Sequence, residues 1–420
     1  MPDMLSERDP EIAAALAGEE EKQRSIINLI ASENYVSRDI LALTGSVFTN
    51  KYAEGYPHER CYGGCRFVDD VEAIAIERAV KLFSAEHANV QPHAGSQANM
   101  AVYFAVLRPG DKIMAMGLRS GGHLTHGRAV NFSGMLYSVA HYNVNRETEQ
   151  LDYDEIQEMA LRERPQMIIC GSSAYSRTID FARFARIADS VNALLLADIA
   201  HIGGLVAAGI HPSPVPHAEF VSGTTHKTLR GPRGAFVLCQ DSFAERLDSA
   251  VFPGLQGGPL MHVIAAKAIC FREAMEPAFR VYQQQIVRNA SALASALAAR
   301  GYRIVSKGTD NHMFLVDLRP QGLTGQEAQE TLERIGIIAN RNAIPFDPLS
   351  PTVASGIRFG TPALTTRGMR EKEMENIAEW IDDALSCRAD DKRIRALADE
   401  VRRFARDYPV FPEDAAALLG

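Results

Sequence analysis

A chain of 420 residues with a formal net charge of -8, 46% hydrophobic and 23% charged, has the composition of a soluble globular protein, with length for two or three domains and a large core. The acidic balance and the lack of a dense Lys/Arg tract speak against nucleic acid as a partner, and no uninterrupted apolar run approaches the roughly 20 residues a membrane helix needs. Met1 to Asp9 lack the apolar centre of a signal peptide. The scattered cysteines (Cys61, Cys65, Cys170, Cys239, Cys270 and Cys387) fit reduced thiols better than a disulfide framework, so a cytoplasmic location is expected.

In chain order, residues 9–27 read as an exposed helix with Ile12, Leu16 and Ile26 on one face amid many glutamates. Residues 28–66 are irregular, polar and aromatic, a length of loop that is usually functional. From Phe67 to about Met275, helical patterns (Val71 to Phe83, Gln97 to Leu107) alternate with short apolar runs. The runs are Ala88–Val90, Lys112–Met116, Gln166–Cys170, Leu194–Asp198, Glu219–Ser222 and Ala235–Cys239. Such alternation predicts an α/β fold with a mostly parallel sheet covered by helices. A long helix is expected over Val263 to Arg300, with a domain boundary inside it near residue 280. A smaller α/β unit follows, with strands at Tyr302–Val305 and Met313–Asp317 and helices at Thr324–Arg334, Arg370–Leu385 and Lys392–Asp407. The expected partition is an N-terminal helix and active-site or dimer loop over 1–66, a large domain over 67–280 and a small C-terminal domain over 281–420.

Two strand ends carry complementary chemistry. Leu194-Leu195-Leu196-Ala197 ends in Asp198 and leads to His201, while Ala218-Glu219-Phe220-Val221 leads through Thr224-Thr225-His226 to Lys227. A buried carboxylate and a buried amine are what pyridoxal phosphate needs: the lysine binds the aldehyde, and the aspartate keeps the ring nitrogen protonated. His93-Ala94-Gly95-Ser96-Gln97-Ala98-Asn99 follows a strand and opens a helix, so its free N–H groups and the Ser96 hydroxyl can cradle a phosphate. Gly121-Gly122-His123-Leu124-Thr125-His126 sets an imidazole in a glycine-rich turn, suited to stacking on a ring. A metal is not expected, because neither His123 with His126 nor Cys61 with Cys65 has further ligands at a matching spacing. In Gly356-Ile357-Arg358-Phe359-Gly360 one arginine among apolar residues suits a bidentate grip on a carboxylate, or a structural ion pair. Tyr52, Glu54 and Tyr62 in the loop can move protons or form a subunit contact.

Leu29-Ile30-Ala31-Ser32-Glu33-Asn34, Asn50-Lys51-Tyr52-Ala53-Glu54-Gly55-Tyr56-Pro57, Gly121 to Gly127, Thr224 to Gly234 and Gln256-Gly257-Gly258-Pro259 together resemble serine hydroxymethyltransferase, over nearly the whole chain from about residue 9. The resemblance implies the type I, aminotransferase-like fold of pyridoxal-phosphate enzymes and a homodimer or dimer of dimers with shared sites. It implies Lys227 as the Schiff-base lysine with His226 beside it, Asp198 on the pyridine nitrogen and His123 stacked on the ring. Gly95, Ser96 and Ser173 hold the phosphate side, with Gly258 from the partner subunit, and His201 contacts cofactor or substrate. Ser32 and Arg358 bind the amino-acid carboxylate. Tyr52, Glu54 and Tyr62 come from the partner, with Glu54 handling protons between the hydroxymethyl group and folate. Leu118, Gly122, Leu124 and Asn342 match folate contacts.

The implied reaction is hydroxymethyl transfer between L-serine and glycine with tetrahydrofolate. Departures from the family pattern are Cys61 where many members have a tyrosine, Arg119-Ser120 before the glycine pair, Ala94 in the cradle, and Gly223 where a threonine is usual. They leave the cofactor chemistry whole and bear on folate and on the amino acid. A missing side chain at Gly223 makes room near Cα for an α-methyl group. The alternatives are therefore an α-methylserine hydroxymethyltransferase or a folate-independent aldolase for β-hydroxy amino acids.

Overall fold

The apolar runs between residues 87 and 239 assemble into one seven-stranded sheet in the computed structural model, which describes residues 2–411 and 413–414. Its strands are β1 (His87–Asn89), β2 (Lys112–Met116), β3 (Ser138–Tyr142), β4 (Met167–Gly171), β5 (Leu194–Asp198), β6 (Phe220–Thr224) and β7 (Ala235–Cys239), in the spatial order β1-β7-β6-β5-β4-β2-β3. Strands β2 to β6 run parallel, and β7 is antiparallel to both its neighbours. Every residue of β4, β6 and β7 is buried, as expected for strands covered on both faces. Side chains alternate between two cores. Ile168, Leu195, Val221 and Phe236 pack into one, while Met167, Leu196, Phe220 and Val237 pack into the other. Each such side chain contributes roughly 1.5–3 kcal/mol through burial. Edge strand β3 carries no continuous apolar run and is mostly exposed or half-buried, so periodicity gives no signal for it.

The helix expected over Val263 to Arg300 is two helices, Met261–Ala274 and Pro277–Ala299. Pro277 lacks an N–H and has a fixed φ, which suits the first turn of a new helix and breaks the old one. Phe279, Tyr282 and Ile286 of the second helix pack into the large-sheet core, and Leu293, Ala294 and Leu297 into a third core. That third core lies against an antiparallel sheet of β8 (Arg303–Ile304), β9 (Met313–Asp317), β10 (Asn340–Asn342) and β11 (Gly356–Gly360), ordered β8-β9-β11-β10. Helices Gly325–Arg334, Glu371–Ser386 and Asp391–Arg406 follow the expected pattern.

The N-terminal helix is exposed, as expected, but it ends earlier and the segment after it is buried. Helix Pro10–Ser25 buries no residue: Ile12 and Leu16 are exposed, and Ile26 is buried just past the helix end. Ile27, expected at the end of the helix, and Leu29, expected in a loop, belong to the third core, where Ile27–Asn28 pairs in parallel with Ile337–Ile338. The fully buried Arg367 ties this segment down. Its guanidinium donates to the carbonyls of Ile26 (2.7 Å), Arg24 (3.1 Å) and Tyr408 (2.8 Å), and to that of Ala405. A cation at the converging C-terminal ends of two helices meets the negative ends of both dipoles.

Further along, Arg60 organises the loop at 52–62. It donates to Ala53 O (2.9 Å) and Gly55 O (2.7 Å) and pairs with Asp69 (2.8 Å) and the fully buried Glu72 (2.5 Å). No helix among the described residues is long and apolar enough to cross a membrane.

Candidate active site

Parallel strands deliver Asp198 at the end of β5, and β6 leads three residues later to Lys227, so both reach one cavity of about 390 Å³ at the carboxyl ends of the strands. Ser32, Gly95, Ser96, His123, Ser173, His201, His226 and Arg358 line the same cavity. Asp198 Oδ2 accepts from Asn99 Nδ2 (2.9 Å) and His126 Nε2 (3.0 Å), and Oδ1 from the N–H of Ala200 (3.0 Å). Burial by itself raises the Asp198 pKa. Hydrogen bonds from His126 and Asn99 outweigh it and hold the carboxyl well below the usual range. Lys227 goes the other way. Burial pushes its amine down to about 8, against the pull of Asp198 and with help from Arg358 and Arg233.

His126 and Asn99 were not among the residues singled out by motif chemistry. His126 Nδ1 accepts the N–H of His123 (3.1 Å), which leaves the proton on Nε2 for Asp198. Asn99 accepts from Ser222 Oγ (2.6 Å) and donates to Thr125 Oγ1 (2.8 Å) as well as to Asp198. The only sequence signals were the three-residue spacing from His123 and the place of Asn99 one turn into the cradle helix. Thr125 also fixes His123, whose Nδ1 lies 2.8 Å from Thr125 Oγ1 and accepts the N–H of Thr125 (3.2 Å). Burial lowers His123 to about 4, so the imidazole facing the cavity is neutral.

The helix Gly95–Val106 opens on the cavity behind Ala94, which supplies no side-chain cap. The N–H groups of Gly95, Ser96 and Gln97 have no backbone acceptor among the described residues, which suits an anion. A Cβ at Gly95 would stand 3.0 Å from Thr224 Cγ2, so a larger residue would crowd the cradle.

On the opposite wall, Arg358 of β11 donates through Nη1 to Ser173 O (2.6 Å) and through Nε to Asn340 Oδ1 (3.1 Å). It is 8% exposed, and no carboxylate among the described residues pairs with it. Burial lowers its pKa to about 10.

Other residues named from the sequence do not line this cavity. Tyr52, Glu54, Tyr62 and Gly258 form a separate cluster. Tyr52 Oη donates to Glu54 Oε1 (3.3 Å), the Tyr52 and Tyr62 rings meet edge-on at 5.1 Å, and a Cβ at Gly258 would touch Tyr52 Cζ at 3.0 Å. Both tyrosines are about half exposed. Leu118, Gly122 and Leu124 lie along residues 118–124, and Asn342 ends β10. Gly122 is required by packing, since a Cβ there would lie 2.0 Å from Met116 O. Cys61 and Arg119 are exposed.

Gly223 makes no room for a substrate methyl group. It sits within β6, and a Cβ there would lie 2.4 Å from the ring of Phe236, which stacks on Phe83 at 5.1 Å. The neighbours Ser222 and Thr224 point to the other face, so the space belongs to the core and not to the site.

The residues present fit pyridoxal phosphate. The cavity has an ionised, hydrogen-bonded carboxylate for a pyridine nitrogen, an amine of lowered pKa for an aldehyde, and an uncapped helix N-terminus that can take the phosphate. A family model described as serine hydroxymethyltransferase matches residues 5–381. The chain therefore belongs to the serine hydroxymethyltransferase family, pyridoxal-phosphate-dependent hydroxymethyltransferases of the type I fold.

Proposed function

We propose that the protein interconverts L-serine and glycine in the cytoplasm with tetrahydrofolate as one-carbon carrier, as a dimer or dimer of dimers whose sites draw on two chains. The observation that carries this reading is Arg358, a buried guanidinium lining the same cavity as Lys227, with no carboxylate paired to it among the described residues. A buried cation of this kind calls for an anionic ligand, and the carboxylate of a small amino acid matches its fork. Ser32 in the same cavity supplies a further hydroxyl donor. Lys227 would hold the cofactor, with Asp198 at its ring nitrogen and His123 beside the ring, and Gly95, Ser96, Ser173 and the partner's Gly258 would hold the phosphate. His201 and His226 complete the wall. When bound, the cofactor supplies an electron sink for the pair left at Cα.

Glu54, with Tyr52 beside it and Tyr62 edge-on, moves protons to and from the hydroxymethyl oxygen of the partner's substrate. Leu118, Gly122, Leu124 and Asn342 take the folate. In this reading the cofactor-holding unit spans 67–280 and the small unit 281–420, with the Arg358 wall contributed by the latter. Turnover of L-serine, α-methyl-L-serine and allo-threonine, each with and without tetrahydrofolate, tests it. Folate-dependent turnover of L-serine above the other two is expected. Preference for α-methyl-L-serine, or cleavage indifferent to folate, would replace it with one of the alternatives.

Arg358→Lys is expected to raise the KM for L-serine about ten- to a hundredfold, because a point charge replaces a planar fork and one charged hydrogen bond, worth roughly 1.5–3 kcal/mol, is lost. An unchanged KM would give Arg358 a structural role. The pH dependence of cofactor loading follows from Lys227. Because its pKa is lowered to about 8, the free amine is present above that pH. Loading of the apoprotein, followed by absorbance, should accelerate up to about pH 8 and level off. A rate still rising steeply at pH 10 would contradict the lowered pKa.

A further inference from the structure

His312 immediately precedes β9, is fully buried, and belongs to no motif singled out above. Its Nε2 lies 3.3 Å from Nδ1 of His201, and the two rings are inclined by only 28°. Its other nitrogen, Nδ1, is buried with no hydrogen-bond partner. His201 lines the cavity, and its Nε2 makes no hydrogen bond with a described residue. We propose that His312 is a positioning residue that locks His201 in the tautomer protonated on Nε2, so that His201 offers the cavity a hydrogen-bond donor.

The contact between the two rings holds one proton. If His201 Nδ1 donates, His312 must carry its own proton on Nδ1, leaving an N–H buried without an acceptor. If His312 Nε2 donates, its Nδ1 keeps only a bare lone pair. Orphaned buried N–H groups are the rarer and costlier of the two, so the second arrangement wins. A neutral pair is consistent with the surroundings. Burial lowers His312 to about 3 and His201 well below its usual value, and Arg358 and Lys227 push both further down, with His123 adding to the effect on His201.

The donor then faces a cavity shared with Ser173 and Arg358, so its acceptor is an anionic oxygen of either the cofactor or the amino-acid carboxylate. His312 stands beside β11, since the N–H of Thr361 donates to its carbonyl at 3.1 Å. It thereby couples the Arg358 wall to the loop after Asp198.

The inference rests on reading this cavity as the cofactor and substrate site. Long-range ¹H–¹⁵N correlation of histidine-labelled protein reads the tautomer directly in the unmutated chain. Protonation of His201 on Nε2 is expected, and a proton on Nδ1 would overturn the proposal. The tautomer holds or fails whether or not Lys227 holds the cofactor, so the two failures are distinguishable. His312→Met keeps the volume and removes the donor, and His312→Gln restores a donor near the Nε2 position. Cofactor titration of the apoprotein and glycine titration of the holoenzyme should show at least one Kd weakened about tenfold in His312→Met and largely recovered in His312→Gln. Whichever Kd moves identifies the oxygen. If neither moves, or both variants behave alike, His312 only fills the core.

Discussion

Exchange of the glycine Cα proton with solvent should fall on the order of a thousandfold in Asp198→Asn, because the barrier follows the pKa of the ring nitrogen and each unit lost is about tenfold in rate. The carboxylate is held ionised by three donors, His126 Nε2, Asn99 Nδ2 and the N–H of Ala200. An amide of the same shape keeps an acceptor for some of them and loses the negative charge that a protonated pyridine nitrogen requires. Its NH₂ meets at least one group that also donates, a cost of about 1–3 kcal/mol in stability. The protein should therefore remain folded, with a modest drop in Tm by circular dichroism, while proton exchange measured by NMR nearly stops. Near-normal exchange in a folded, cofactor-loaded variant would remove Asp198 from that role.

Asp198 and Lys227 were legible because each ends or follows a largely buried strand, where an apolar run gives way to polar residues. The partners that make Asp198 work were not. His126 and Asn99 approach it from a turn and a helix far away in sequence, and hydrogen-bond geometry of that kind leaves no periodic trace. His312 was invisible for a similar reason, being one polar residue at the start of a buried strand of the second sheet. The break at Pro277 was missed because helical periodicity continues on both sides of it, although proline in a first turn is itself a start signal. Gly223 misled in the other direction. An absent side chain reads as space in the site, but the facing strand residue, Phe236, fills it. Local pattern therefore located the strand ends, while cross-strand and cross-unit pairings required coordinates.

Mixing Lys227→Ala chains with Glu54→Gln chains is expected to restore activity to about a quarter of the unmutated level. Random exchange makes half of the dimers hybrid, and one of the two sites in each hybrid is then intact. The geometry behind this is the separation of two clusters within one chain. Lys227 and Arg358 line the cavity, whereas Glu54, Tyr52 and Tyr62 stand apart against Gly258, with both tyrosines half exposed. A loop swing that carried Glu54 into its own cavity would have to release Arg60 from Asp69 (2.8 Å) and Glu72 (2.5 Å), and Gly55 from Gln91 (2.9 Å). Breaking a buried ion pair alone costs roughly 3–5 kcal/mol, so the proposed completion of the site by a second chain is the arrangement expected. Activity of the mixture no higher than either variant alone, after mass spectrometry has shown that subunits exchange, would mean that both residues serve the same chain's site and that the clamped loop opens after all.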